Sequence, residues 1–242
     1  MNILGKPYAL CIFDFDGVIL DTEKYHYLAW RDVFAGQGVA LTPQEYMPLK
    51  STGREHIIEA VCRRHSLSLS REQKKCLAQE KGKRYAEYAA AISRQDLIGG
   101  VETYLQHLRR MGCKTVIATS SLAAKQYLEA FGLEGYFDGV YDGTLPLKKK
   151  PAPDVFLHIA REQGIAPEQC VVFEDSLAGI EGAGRAGMDV VAIGGINESN
   201  LMELSDSDVD GVAVVSAIFA AQDPGKATAR LLELAKKLTA HG

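Results

Sequence analysis

The sequence predicts an α/β protein, a parallel sheet wound with helices on both faces and interrupted once by a helical insertion. Three observations predict it. Short apolar runs alternate with amphipathic stretches in the N- and C-terminal parts of the chain, as strands and crossover helices of a parallel sheet do. From about residue 24 to 92 that rhythm stops and only helical patterns remain. The chain has 242 residues and is 47% hydrophobic, enough for one large domain carrying a smaller one. The expected boundaries are 1–22 with 93–242 for the sheet domain and 23–92 for the insertion.

The elements follow in order. The first apolar run, Ala9–Phe15, reads as a buried strand. The insertion carries helical patterns such as Arg54–His65 and Arg71–Ala91. The helix of Glu102–Met111 then leads to the strand Thr115–Thr119 and the helix Ala123–Phe131. Pro153–Gln163, strand Cys170–Phe173 and helix Leu177–Ala186 repeat the unit. Strands at Val190–Ile193 and Gly211–Val215 follow, and Lys226–Leu238 closes the chain as an amphipathic helix. This order describes a Rossmann-like, doubly wound core.

Composition narrows the function classes. A net charge of -4 argues against nucleic-acid binding through a basic surface. No apolar run reaches the ~18 residues of a membrane span. Met1–Phe15 is apolar but lacks a small-residue cleavage site, so it reads as a strand and not a signal peptide. The five cysteines are scattered and odd in number, which fits buried structural thiols in a reducing cytoplasm. No obligate protein partner is inferred.

The most informative segment is Phe13-Asp14-Phe15-Asp16-Gly17-Val18. If the strand continues through both aspartates, they share a face. They stand at its carboxyl end, where open α/β sheets gather ligands, and Gly17 permits a sharp turn. Two carboxylates this close call for a cation or a shared proton. Taken alone, the pair also fits aspartates that cap a loop.

Asp14-x-Asp16-Gly17-Val18-x-x-Asp21-Thr22 resembles the signature of the haloacid dehalogenase superfamily. The resemblance implies that Asp14 attacks phosphorus and forms an aspartyl phosphate. It implies that Asp16 protonates the leaving oxygen and later activates the attacking group. A carboxylate is already ionised at neutral pH, but attack on an anionic ester needs positive charge nearby. Three further matches occur in order. Thr119 and Ser120 resemble the motif whose hydroxyl and backbone N–H groups hold phosphoryl oxygens. Lys150, in Lys150-Pro151-Ala152-Pro153-Asp154, resembles the lysine that neutralises nucleophile and phosphoryl group. Its neighbours Lys148 and Lys149 read as solvated loop charges. Glu174 and Asp175 resemble the acidic pair that holds Mg²⁺ with Asp14 and the backbone carbonyl of Asp16. An all-oxygen ligand set suits Mg²⁺ better than zinc.

The insertion resembles the cap of the β-phosphoglucomutase-like subfamily, which closes over the site. Asp21-Thr22-Glu23-Lys24-Tyr25-His26 carries the match, and Thr22 and His26, four apart, would share a helical face. Residues 49–55, Leu-Lys-Ser-Thr-Gly-Arg-Glu, extend it. The resemblance implies substrate contacts from Thr22, His26, Lys50, Arg54 and Lys81, with Arg54 gripping a distal phosphate. Two positions depart from the pattern. Leu122 and Ala123 stand where the subfamily often carries Lys and generally Asn. The expected function is Mg²⁺-dependent phosphoryl transfer on a small sugar phosphate, β-phosphoglucomutase-like. The alternative is a phosphatase of a small phosphate monoester such as a sugar phosphate or thiamine phosphate. The tail, about 190–225, resembles the end of thiamine phosphate synthase, a (β/α)₈ barrel. Only a quarter of a barrel is present, so the tail is expected to supply the last strands and helices of the core.

Overall fold

The computed structural model describes residues 2–50 and 52–239. Ser51, within the 49–55 match, lies outside the described residues, as does Met1. The chain divides into two compact units, Met1–Leu20 with Ile98–Gly242, and Asp21–Leu97.

The first unit opens with a two-residue hairpin, β1 (Asn2–Ile3) and β2 (Lys6–Pro7). Its main sheet holds β3 (Leu10–Phe13), β4 (Lys114–Ala118), β5 (Gly139–Tyr141), β6 (Cys170–Glu174), β7 (Asp189–Ile193) and β8 (Gly211–Ala213). All five pairings are parallel, in the order β5-β4-β3-β6-β7-β8. Every residue of β3 and β6 is buried, so both faces of these central strands are covered. The chain steps from β3 outward through β4 to β5, then returns to β6 on the other side of β3. The order therefore reverses at β3, and the carboxyl end of β3 is a topological switch point, where such sheets bind ligands.

The surrounding helices of the described residues are α5 (Val101–Arg110), α6 (Ala124–Ala130), α7 (Asp154–Gln163), α8 (Leu177–Arg185), α9 (Ser216–Phe219) and α10 (Pro224–Thr239). Before them, in the second unit, come α1 (Glu23–Ala35), α2 (Pro43–Tyr46), α3 (Arg54–Arg64) and α4 (Arg71–Ala89). Trp30, Phe34, Ile58, Val61 and Leu77 form the second unit's own apolar core. None of the helices among the described residues is long and apolar enough to cross a membrane.

The expected strands need correction. The first strand is Leu10–Phe13 and not Ala9–Phe15, because the backbone turns back at Phe15, whose carbonyl accepts from the N–H groups of Val18, Ile19 and Leu20. The alternation argument for Asp14 and Asp16 therefore stops at Phe13. The strand at Gly139–Tyr141 lay unmarked in the sequence. The last strand ends at Ala213, and the tail does supply the sheet's edge: β7 and β8 extend it, and α10 packs on α9 and β8. Four cysteines are buried and Cys76 is exposed. Cys11 and Cys113 bring their sulfurs to 3.4 Å as thiols.

Candidate active site

Asp14 is the first residue beyond β3, and its N–H still donates to the carbonyl of Phe173 on β6 at 2.9 Å. That bond carries the ladder one residue past the strand and fixes where the Asp14 side chain starts. Thr119 does the same beyond β4, donating to the Tyr141 carbonyl at 2.9 Å. Glu174 ends β6 and Asp175 follows it. The sequence thus delivers these side chains to one edge of the sheet because its apolar runs stop in register.

Lys150 ties the three central strands together. Its ammonium donates to Asp14 Oδ1 at 2.7 Å, to the Ala118 carbonyl at 3.0 Å and to Glu174 Oε2 at 3.0 Å. Burial alone would lower its pKa, but the carboxylates of Asp14 and Glu174 outweigh that and raise it. Lys150 is held as a cation. Glu174 is 1% exposed, and burial followed by the Asp14 charge pushes its pKa up to about 7, against the opposing pull of Lys150 and Ser176. A carboxylate in that position is short of positive charge.

One carboxylate oxygen from each of Asp14, Glu174 and Asp175 lies within 4.8 Å of the others. Two glycines make the cluster possible. A Cβ on Gly17 would stand 2.4 Å from Asp175 Oδ2, and Gly17 has φ +80°. A Cβ on Gly179 would stand 2.0 Å from the Glu174 carboxyl group. Asp175 and Glu174 therefore occupy space that any other residue at 17 or 179 would fill. Ser176, the N-cap of α8, donates from Oγ to Glu174 Oε1 at 2.5 Å and accepts from the Gly179 N–H. The three carboxylates supply hard oxygen donors with too little cationic charge, a set that fits Mg²⁺. Ser176, Gly179 and the Ala118 carbonyl went unassigned in the sequence, and Gly17 was read only as the residue of a sharp turn; the Glu174-Asp175-Ser176-x-x-Gly179 spacing was the available signal for Ser176 and Gly179.

Asp16 lies in the turn after Asp14, in a bridge with Leu20, and is half-buried. Thr119 is 6% exposed and its Oγ1 accepts from the Ser121 N–H at 3.0 Å, while Ser120 is exposed. Leu122 is 68% exposed and Ala123 is half-buried.

The second unit brings its own set together. Thr22 is the N-cap residue of α1, and its carbonyl accepts from the His26 N–H at 3.2 Å. Lys81, on α4 and 3% exposed, donates to His26 Nδ1 at 2.6 Å. Its ammonium also lies over the rings of Tyr85 and Trp30, at 4.8 and 5.7 Å. His26 stacks on Tyr85 at 4.1 Å. Burial, then Lys81 and Arg54, push the His26 pKa down to about 3, so the imidazole is neutral. Arg54 opens α3 and is exposed; Lys50 is half-buried just before it. The charges of Lys81 and Arg54 both bear on the neutral His26 within this unit.

Comparisons with known proteins agree with this architecture. The family model for haloacid dehalogenase-like hydrolases matches residues 8–187, and one for thiamine monophosphate synthase matches residues 175–218. Fructose-1-phosphate phosphatase YqaB of Escherichia coli (strain K12) is 36% identical over 78% of this chain and 97% of its own length. β-Phosphoglucomutase of Bacillus subtilis (strain 168) is 31% identical over 76% of this chain and 82% of its own. The crystal structure of β-phosphoglucomutase from Clostridium difficile superposes with a TM-score of 0.67 at 27% identity, covering 93% of this chain and 98% of that one.

Proposed function

Because the chain belongs to the haloacid dehalogenase-like hydrolase family, and is an enzyme of the phosphatase or phosphomutase kind found among its relatives, we propose that it moves the phosphoryl group of a small sugar phosphate through a covalent intermediate on Asp14. The observation that carries this reading is the Lys150 ammonium shared between Asp14 and Glu174 at the switch point of the sheet. An ionised carboxylate needs no base before it attacks, and Lys150 offsets its repulsion from the phosphate ester. Asp16 donates a proton to the departing alkoxide and takes one from the acceptor in the second half-reaction. The Thr119 hydroxyl and the Ser120 N–H hold phosphoryl oxygens. Asp14, Glu174, Asp175 and the Asp16 carbonyl would hold Mg²⁺, which when bound supplies charge to the phosphoryl oxygens.

The acceptor in this reading is a second hydroxyl of the sugar, giving β-phosphoglucomutase-like isomerisation. The Lys81 and Arg54 side chains, with the neutral His26, Thr22 and Lys50, support it as a set suited to a doubly phosphorylated sugar. A second reading, hydrolysis, is favoured by Leu122 and Ala123, which place no donor beside Ser120, and by the phosphatase relative. The enzyme is read as cytoplasmic, with no obligate protein partner. The test is the ratio of glucose 6-phosphate formed to phosphate released from β-glucose 1-phosphate. We expect isomerisation with hydrolytic leakage, and Ala123→Asn to shift the ratio toward isomerisation. Phosphate alone from both proteins rejects the mutase reading and moves the search to other monoesters, thiamine phosphate included.

A further inference from the structure

We propose that Lys148 and Lys149 form a subsite for a second anionic group on the substrate, remote from the phosphoryl group that reacts; the inference rests on the reading of phosphoryl transfer at Asp14. Within the first unit, a cleft of ≈ 190 Å³ is lined by Thr119, Ser120, Leu122, Lys148, Lys149 and Lys150. Lys148 and Lys149 are exposed, and among the described residues no carboxylate is paired with either ammonium. Asp142, which also lines the cleft, is already engaged. It pairs with Lys125 at 3.0 Å, and its Oδ1 accepts from the N–H and hydroxyl of Thr144 at 3.0 and 2.5 Å. The cleft thus carries uncompensated positive charge beyond that of Lys150, which is paired with Asp14 and Glu174.

The two walls are built to stay together. A Cβ on Gly143 would stand 2.8 Å from the Ser120 carbonyl oxygen and 3.3 Å from Leu122, so the loop after β5 lies directly on the loop after β4. The Ala152 N–H donates to the Lys149 carbonyl at 2.9 Å and fixes the chain just before α7. A substrate whose phosphoryl group sits by Thr119 and Lys150 therefore shares this cleft with two further lysines and the apolar Leu122. The ligand class is a sugar phosphate with a second phosphate or a carboxylate.

The test compares wild type with Lys148→Ala/Lys149→Ala on an aryl phosphate, a hexose monophosphate, a hexose bisphosphate and a phosphorylated sugar acid. We expect the double variant to lose roughly tenfold in kcat/KM on the doubly anionic sugars, mainly through KM, and less than about twofold on the aryl phosphate. The loss shrinks as salt is raised, and Lys148→Arg/Lys149→Arg retains the preference. A greater loss on the bisphosphate assigns the second group as phosphate; a greater loss on the sugar acid assigns it as carboxylate. Equal losses on all substrates, or none on the doubly anionic ones, overturn the proposal. Calorimetric binding of the hexose bisphosphate tests the subsite without turnover, since roughly tenfold weakening in the double variant supports it and unchanged binding rejects it. Absence of phosphoryl transfer by wild type from every substrate would instead reject the reading at Asp14.

Discussion

Replacing Lys150 with alanine removes one cation from between two carboxylates that burial has already made costly. The ammonium sits 2.7 Å from Asp14 and 3.0 Å from Glu174, with side chains 12%, 12% and 1% exposed for Lys150, Asp14 and Glu174. At an effective dielectric of about 20, each contact is worth roughly 5–6 kcal/mol before desolvation. Desolvation of three charges cancels much of that. Breaking a buried ion pair on one side nevertheless costs about 3–5 kcal/mol, because the abandoned charges remain. Here they also repel each other, and the Ala118 carbonyl loses its donor. The Lys150→Ala protein should therefore lose about 3–5 kcal/mol in urea unfolding without divalent metal. Added Mg²⁺ should restore part of the loss, since the remaining carboxylates then share one cation. Activity should not return, because the phosphoryl group loses its lysine. A loss under about 1 kcal/mol, or no recovery with Mg²⁺, would refute the claim that Lys150 balances this cluster.

Gly17→Ala should raise the Mg²⁺ concentration for half-maximal activity by at least about tenfold, because the new Cβ meets Asp175 Oδ2 and the backbone there has positive φ; an unchanged metal requirement would disprove the role given to the Gly17 turn. The neutral imidazole of His26 makes the helical unit acid-sensitive. Its folded pKa of about 3 lies below the ordinary ~6.5, so between those values the unfolded chain binds more protons and stability falls as pH drops. Going from pH 7 to pH 5 should cost about 2 kcal/mol from this group, and His26→Gln should flatten the slope.

The central strands were legible because a strand covered on both faces must be apolar throughout, and Cys170–Phe173 and Thr115–Thr119 read as such. β5 was hidden for the opposite reason. Gly139, Val140 and Tyr141 are half-buried on the sheet's edge, so three residues carried no apolar run. The acidic and basic residues at strand ends were visible as residue types, and the structure gathers Asp14, Lys150, Glu174 and Asp175 at one edge. What held them there was not visible. The closeness of Gly17 to Asp175 and of Gly179 to Glu174 is a property of tertiary approach, and a sequence records it only as one more glycine.

The central claim is that Asp14 carries the phosphoryl group. The direct measurement is a rapid acid quench during turnover of a sugar phosphate with Mg²⁺, followed by peptide mapping of the protein by mass. The account predicts one added phosphoryl group, located on Asp14 and absent from a folded Asp14→Asn variant that releases no phosphate. Phosphate release within about tenfold of wild type by that variant, or a phosphoryl group mapped to another residue, would contradict it.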